Sequence, residues 1–317
     1  ANFPTLMKQI TNSILMIRPV SFRMNEQTAV NNYFMEDMAL KNAEINSRAQ
    51  EEFDQLVNLL REHGVEVIVV EDRIETDTPD SVFPNNWISF HENGTVVVYP
   101  MFAENRRKER RDDLFDILEE HGFLIDQIVD YTSAEEYSCF LEATGSIIMD
   151  RIHQKAYCAL SERAHEELLI EFCEDFECTP VIFTANQTVD DKRLPIYHTN
   201  VMMNVGESLA VMCDAAIPRE DQRAAVLQRL RDSGRDVISL DYGQLAAFAG
   251  NMLELRTARG NRLVAMSRQA FDSLDDKQRR MLRDNGEILA VSIDNIEASA
   301  GGSVRCMLAE VHLPKSA

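Results

Sequence analysis

Nowhere in its 317 residues does the chain run apolar for the roughly 18–20 positions that a membrane-crossing helix requires. Its opening, "ANFPTLMKQITNSILMIRP", has no basic stretch leading into a long apolar core and a small-residue cleavage site. It therefore reads as mature sequence and not as a secretion signal. Positive charge is scarce too: 32 Lys and Arg stand against 53 Asp and Glu, a formal net charge of -21. Such a field repels nucleic acid and anionic membrane surfaces, so neither is an expected partner. The single basic run, "RRKERR" at 106–111, reads as a solvated helix face. Metal-ligand spacing is missing as well. The seven histidines form no HxH or HExxH group, and the six cysteines (139, 158, 173, 178, 213 and 306) form no CxxC pair. They read as free, reduced thiols of a cytoplasmic protein. There is no GxxxxGK[ST] loop and no GxGxxG after a strand, so neither a metal nor an organic cofactor is implied. Nothing in the sequence sets an oligomeric state.

What the chain has is a period. "NNWISFHENGTVVVYPM" (85–101) reads as two strands about an Asn-Gly turn, followed by a helix over 104–121 and a strand over 122–131. The pattern returns at 145–161 with a helix to about 177, at 200–217 with a helix over 218–233, and at 251–267 with a helix over 268–285. A fifth copy begins at "RCMLAEVHLP", and its missing half is at the other end of the chain. There "SILMIRPVSF" (13–22) reads as a strand, 43–63 as a helix and "VEVIVV" (65–70) as a strand. Copies anchored at Asn86, Gly145, Val201, Met252 and Cys306 are 59, 56, 51 and 54 residues apart. The expectation is an α/β fold of five strand-strand-helix-strand modules about a pseudo-fivefold axis, with both termini sharing one module. It forms a single domain over 13–314 after an N-terminal extension, 1–12. A shared central mouth is then the natural place for a ligand.

Every first strand would start near that axis, and the residues at those starts are chemically loaded. "PDSVFPNNW" contributes Asp80, Asn85 and Asn86; "FLEATGS" contributes Glu142; "YHTN" contributes His198 and Asn200. "AGNMLEL" contributes Asn251 and Glu254, and "GGSVRCM" contributes Arg305 and Cys306. A thiol, an imidazole and a carboxylate are the parts of covalent catalysis with proton transfer. Taken singly each has a plain structural reading, since free cysteine is a common core residue. The repeat is what places them at equivalent points of different modules.

Those four segments "PDSVFPNNW", "LEATGS", "YHTN" and "GGSVRCM", in that order, resemble the guanidine-modifying superfamily with the pentein fold, a five-bladed α/β propeller. The superfamily includes arginine deiminases, dimethylarginine dimethylaminohydrolases, agmatine deiminases and amidinotransferases. The whole pattern is most similar to its amidinotransferase or citrulline-utilisation branch. The resemblance implies that Cys306 attacks the central carbon of a guanidino or ureido group. It implies that His198 protonates the leaving amine and then activates water, that Glu142 orients the site, and that Asp80 lines the pocket. Asn85, Asn86, Asn200 and Arg305 are the further candidate substrate contacts.

Two positions depart from the arginine-using pattern: Asn86 and Asn200 stand where those enzymes carry aspartates. An amide keeps a carboxylate's geometry without its charge, and it can face either a donor or an acceptor. This favours a neutral ureido substrate, and the expected reaction is hydrolysis of citrulline to ornithine, ammonia and carbon dioxide. Arginine dihydrolysis, deimination and dimethylarginine hydrolysis are the near alternatives. Amidino transfer to an acceptor amine uses the same residues, and a non-catalytic ligand-binding ring is the alternative of another class. Arg18, Arg256 and Arg305 are candidates for the amino-acid end of the substrate.

Overall fold

A computed structural model describes residues 7–28 and 42–316. Seventeen strands are assigned among them: β1 Ser13–Arg18, β2 Glu66–Glu71, β3 Ile88–Phe90, β4 Thr95–Val98, β5 Gln127–Asp130, β6 Ile148–Asp150, β7 Lys155–Ala159, β8 Thr179–Phe183, β9 Asn186–Val189, β10 Lys192–Pro195, β11 Met203–Val205, β12 Leu209–Met212, β13 Asp236–Ser239, β14 Leu253–Arg256, β15 Arg262–Ser267, β16 Glu287–Val291 and β17 Ala309–Glu310. The result is an α/β fold with mixed sheets.

The sheets β3-β4-β5, β6-β7-β8, β11-β12-β13 and β14-β15-β16 share one pattern: the first pair antiparallel, the second parallel. The sheet β17-β1-β2 repeats it, with β17 antiparallel to β1 and β1 parallel to β2. The last strand of the chain thus takes the place that a first strand takes elsewhere. A parallel pair needs a crossover. Helices Asp113–Glu120, Glu166–Asp175, Glu220–Asp232, Asp276–Asn285 and Asn42–Glu62 fall between the parallel partners. The last buries Ile45, Ala49, Phe53, Leu56, Val57 and Leu60, a three- and four-residue spacing that gives it one apolar face.

Contacts between modules run in sequence: β17 against β3, the turn Ala143–Ser146 against β3, β6 against β11, β11 against β14, and β15 against the turn Val304–Met307. Each module therefore touches the next, and the last touches the first. The apolar core follows the same course, shared between neighbours in four clusters. Of the segment expected as an N-terminal extension, residues 1–6 lie outside the described residues. Residues 7–12 are tied into the fold. Gln9 donates to the Met149 and Val205 carbonyls at 2.9 and 3.0 Å, and Thr11 donates to the Val311 carbonyl at 2.9 Å.

Several elements differ from the sequence reading. The helix expected over 104–121 is two pieces, Glu104–Arg107 and Asp113–Glu120, because Arg106 and Glu109 turn inward. The helix expected over 268–285 breaks at Asp275, which caps the second piece with Gln278 in a reciprocal box. The apolar run after Arg305 is a short helical turn, Val304–Met307, before a two-residue strand. The hairpin β9-β10 and the helix Asp294–Ala300 have no counterpart in the repeat.

Candidate active site

Short helical turns stand at the heads of four first strands: Pro84–Asn86, Ala143–Ser146, Thr199–Met202 and Val304–Met307. The first touches the second and the fourth, and the second touches the third. Glu142 is presented at the edge of its turn by Ala143, whose backbone sits at φ +45°, sparsely populated for a residue with a side chain. Gly145 follows because nothing larger fits. A Cβ there would lie 2.6 Å from Asn86 Nδ2 and 3.1 Å from His198 Nδ1.

Beside these turns lies a tight cavity of about 20 Å³, whose lining includes Cys306, His198, Asp80 and Asn86. His198 is buried and its Nε2 lies 2.7 Å from Glu142 Oε1. The other carboxylate oxygen of Glu142 accepts from the Phe102 N–H at 2.9 Å, and Arg163 Nη1 stands 3.8 Å from Oε1. Burial pushes the Glu142 carboxyl up. The hydrogen bond from His198 and the charges of Arg163, His198 and Arg106 outweigh that and hold it at about 2. Burial drives His198 down to about 4 against the pull of Glu142. An ionised carboxylate beside a neutral imidazole fixes the tautomer: Nε2 carries the proton, and Nδ1 keeps its lone pair for use as a base.

Cys306 is 5% exposed. Its sulfur lies 3.5 Å from Asn200 Nδ2 and 3.2 Å from Asn251 Nδ2. Asp80 is also buried, and its Oδ2 accepts from Asn25 Nδ2 at 2.8 Å and from Thr28 Oγ1 at 3.5 Å. Its Oδ1 has no hydrogen-bond partner among the described residues. Burial pushes Asp80 up, opposed by Arg106, Asn25, Arg163 and Thr28.

Of the residues singled out in the sequence, Cys306, His198, Asp80 and Asn86 share this cavity. Glu142 backs His198, and Asn200 reaches the sulfur. Asn85 lies behind Asn86, accepting from its Nδ2 at 2.9 Å. Arg305 turns away: it donates to the Leu308 carbonyl at 2.8 Å and to Glu310 at 2.6 Å, and it lines a separate hollow with Arg151 and Glu254. Arg18 pairs with Asp54 and Arg256 with Glu207, both outside the cavity.

Two arginines that the sequence reading passed over do line it, Arg106 and Arg163. Arg106 belongs to the run taken for a solvated face, yet it is 2% exposed. Its Nη1 donates to Asn86 Oδ1 at 2.8 Å and its Nε to Glu109 at 3.1 Å, while Asp80 Oδ2 lies 4.0 Å from Nε. Burial pushes Glu109 up to about 8 against the pull of Arg106. Arg163 lies 4.9 Å over the Tyr197 ring. The available signal was the acid inside the basic run, Glu109, three residues after Arg106. For Arg163 it was a position just beyond the second strand of its module.

Comparison with known proteins follows that geometry. A family described as N,N dimethylarginine dimethylhydrolase, eukaryotic, matches residues 18–313. No curated protein matches. Among solved structures, ArgZ, an arginine dihydrolase from the ornithine-ammonia cycle in cyanobacteria, superposes with a TM-score of 0.72. Its identity is 16%, over 96% of this chain and 41% of its own. The N-terminal domain of ArgZ bound to substrate gives 0.70 at 16% identity, over 94% and 97%. A dimethylarginine dimethylaminohydrolase adduct with 4-chloro-2-hydroxymethylpyridine gives 0.60 at 14%, over 95% and 99%. At such identities the likeness is one of fold. The chain spans about two fifths of the length of whole ArgZ.

Proposed function

Since the chain belongs to the N,N-dimethylarginine dimethylhydrolase family, a family of C–N hydrolases, we propose that it cleaves the guanidino group of an arginine-type amino acid through a covalent thioether to Cys306. The five modules are read as one closed α/β propeller, a single catalytic domain over 13–314, with this cavity at its axis.

The observation that carries the substrate class is Asp80. A buried carboxylate oxygen with no hydrogen-bond partner among the described residues, on the wall of the cysteine's cavity, wants a cationic donor. A guanidinium supplies one, and a urea supplies a weaker, neutral donor. Of the amides that favoured citrulline, Asn86 has its carbonyl taken by Arg106, and Asn200 faces the sulfur. The primary substrate is therefore a guanidine, and the neutral-urea preference read from the sequence is set aside.

In the reaction the Cys306 sulfur adds to the guanidinium carbon, and the C–N bond to the leaving amine breaks as that nitrogen takes a proton that His198 Nδ1 has picked up from solvent. A thiouronium remains. Water then loses a proton to His198 Nδ1 and attacks the same carbon, the C–S bond breaks, and a ureido product leaves. Throughout, Glu142 holds the imidazole in one tautomer and stabilises its charge when it is protonated.

A second reading, arginine dihydrolysis, draws on Asn86. Its carbonyl is pinned by Arg106 and one N–H by Asn85, so the remaining N–H is available to a urea oxygen in a second round on the ureido product. Incubation with arginine, asymmetric dimethylarginine and citrulline, with Cys306→Ala as blank, separates the cases by products. Dimethylamine or one ammonia with accumulating citrulline supports the primary reading. Two ammonia per ornithine supports dihydrolysis. Turnover of citrulline alone would return the argument to the neutral ureido substrate.

A further inference from the structure

A thiol near its ordinary acidity is mostly protonated at neutral pH, so a cysteine nucleophile needs something to hold its anion. Among the described residues no Lys, Arg or His hydrogen-bonds the Cys306 sulfur; its polar neighbours are two carboxamides. In both, nitrogen is nearer than oxygen: 3.2 against 3.6 Å for Asn251, and 3.5 against 3.9 Å for Asn200. An amide could be turned end for end, but Asn251 cannot without loss. Its Nδ2 also donates to the Asn200 backbone carbonyl at 2.9 Å, an acceptor that an amide oxygen would repel. One N–H goes to that carbonyl, and the other is left for the sulfur.

The chain is shaped to deliver this residue. Phe248 adopts φ +63°, unfavourable for a bulky side chain, and its carbonyl accepts from the Asn251 N–H at 2.9 Å. Gly250 presses so closely on the preceding module that a Cβ would lie 2.4 Å from the Val201 carbonyl oxygen. Asn204 holds the Gly250 carbonyl at 3.2 Å, and Asn251 is 1% exposed. Strain and close approach converge on a side chain that touches the reacting atom.

We propose that Asn251 is a catalytic residue whose side-chain N–H is the principal donor holding the Cys306 thiolate, with Asn200 as the second. This rests on Cys306 being the nucleophile. On ionisation the thiol proton leaves to solvent, and the sulfur, now negative, accepts from both amides. A hydrogen bond to a charged group is worth enough that losing one lowers the thiolate population roughly tenfold. The remaining thiolate is somewhat more nucleophilic, so the rate falls less, by about threefold at fixed pH.

The test is a pH titration of thiolate absorbance in the substrate-free protein, with the Cys306→Ala trace subtracted. In Asn251→Ala the midpoint should move up by about one pH unit. In Asn251→Asp, which sets a negative charge beside the sulfur, it should move further the same way. Where a variant fails to fold, the Asn251 side-chain amide resonance of the native sequence serves instead: it should titrate with Cys306 and stop titrating in Cys306→Ala. Unmoved midpoints in the folded variants, or an amide resonance indifferent to Cys306, would overturn the assignment. Because no substrate is present, these results stand apart from the guanidine reading. Loss of that reading would show as absent turnover with a normal thiolate titration.

Discussion

Asp80 and Glu142 are both buried carboxylates, yet their surroundings drive them in opposite directions. Burial raises Asp80, whereas the His198 hydrogen bond and nearby arginines hold Glu142 at about 2. On the guanidine reading the first is a partner for the substrate's cation, and the second is a fixed anion. Asp80→Asn should raise KM for a guanidino substrate by tenfold or more, the worth of one charge-assisted bond, while leaving a ureido ligand's affinity nearly unchanged. Steady-state kinetics with inhibition by a ureido analogue reads both. Glu142→Gln removes the charge behind His198 and should lower kcat by about 10²–10⁴ with little change in KM, the range for loss of an acid–base relay. With His198 at about 4, the imidazole proposed as the base is already deprotonated at neutral pH. The acid limb of kcat/KM should therefore lie near pH 4–5, and a limb at the ordinary imidazole value would contradict the buried neutral histidine. These residue identities were legible in the sequence because each heads a repeated strand. Arg106 was not, because a charged run looks the same whether it is solvated or turned in to meet Asp80 and Glu109, and Arg163 is a lone arginine in a turn.

The helix Asp294–Ala300 shows why elements outside the repeat stayed hidden. It has seven residues and no side-chain cap of its own, too little local signal to stand alone. Its first turn is secured from far along the chain. Glu52, in the helix Asn42–Glu62, accepts from the Asn295 and Ile296 N–H groups at 2.8 and 2.9 Å. The helix ends immediately before the glycines that lead to Cys306, so a remote carboxylate anchors the approach to that cysteine. Glu52→Ala should cost about 1–2 kcal/mol, a lost N-terminal cap with two donors left buried. It should also lower kcat, because the loop after residue 300 loses its anchor. Chemical denaturation and turnover on the same preparation check the two effects. The regular strands and crossover helices were readable because apolar period and turn residues mark them locally. Their breaks at Arg106–Glu109 and at the Asp275 cap depend on where side chains point.

At the scale of the whole molecule, the two ends of the described fold meet through a strand of two residues. β17 pairs with β1 through Ile14–Glu310 and Leu15–Ala309, joining the ends of the described fold. A chain ending at Leu308 should therefore lose cooperative unfolding, read by calorimetry, and not merely a few degrees of melting temperature. Stability should also have a defined pH window. Glu52, Glu109 and Glu297 are raised to about 7, 8 and 8, chiefly by burial. They keep protons in the folded state that the unfolded chain releases, so stability declines as pH climbs through 7 and 8. Buried His91, His198 and His312 are lowered, so the unfolded chain takes up protons first and stability declines as pH falls below about 6.5. Where the two sets overlap their slopes oppose, and melting temperature should vary little between about pH 5 and 6.5. Glu297→Gln should flatten the alkaline side of that profile.

The order of the site along the chain has a bearing on biosynthesis. Asp80, Glu142 and His198 are translated before Asn251, and Asn251 before Cys306. The ribosome therefore supplies the receptive groups first and the reactive sulfur after them all. On the proposed reading, Cys306 can join His198 only once nearly all of this sequence has been made.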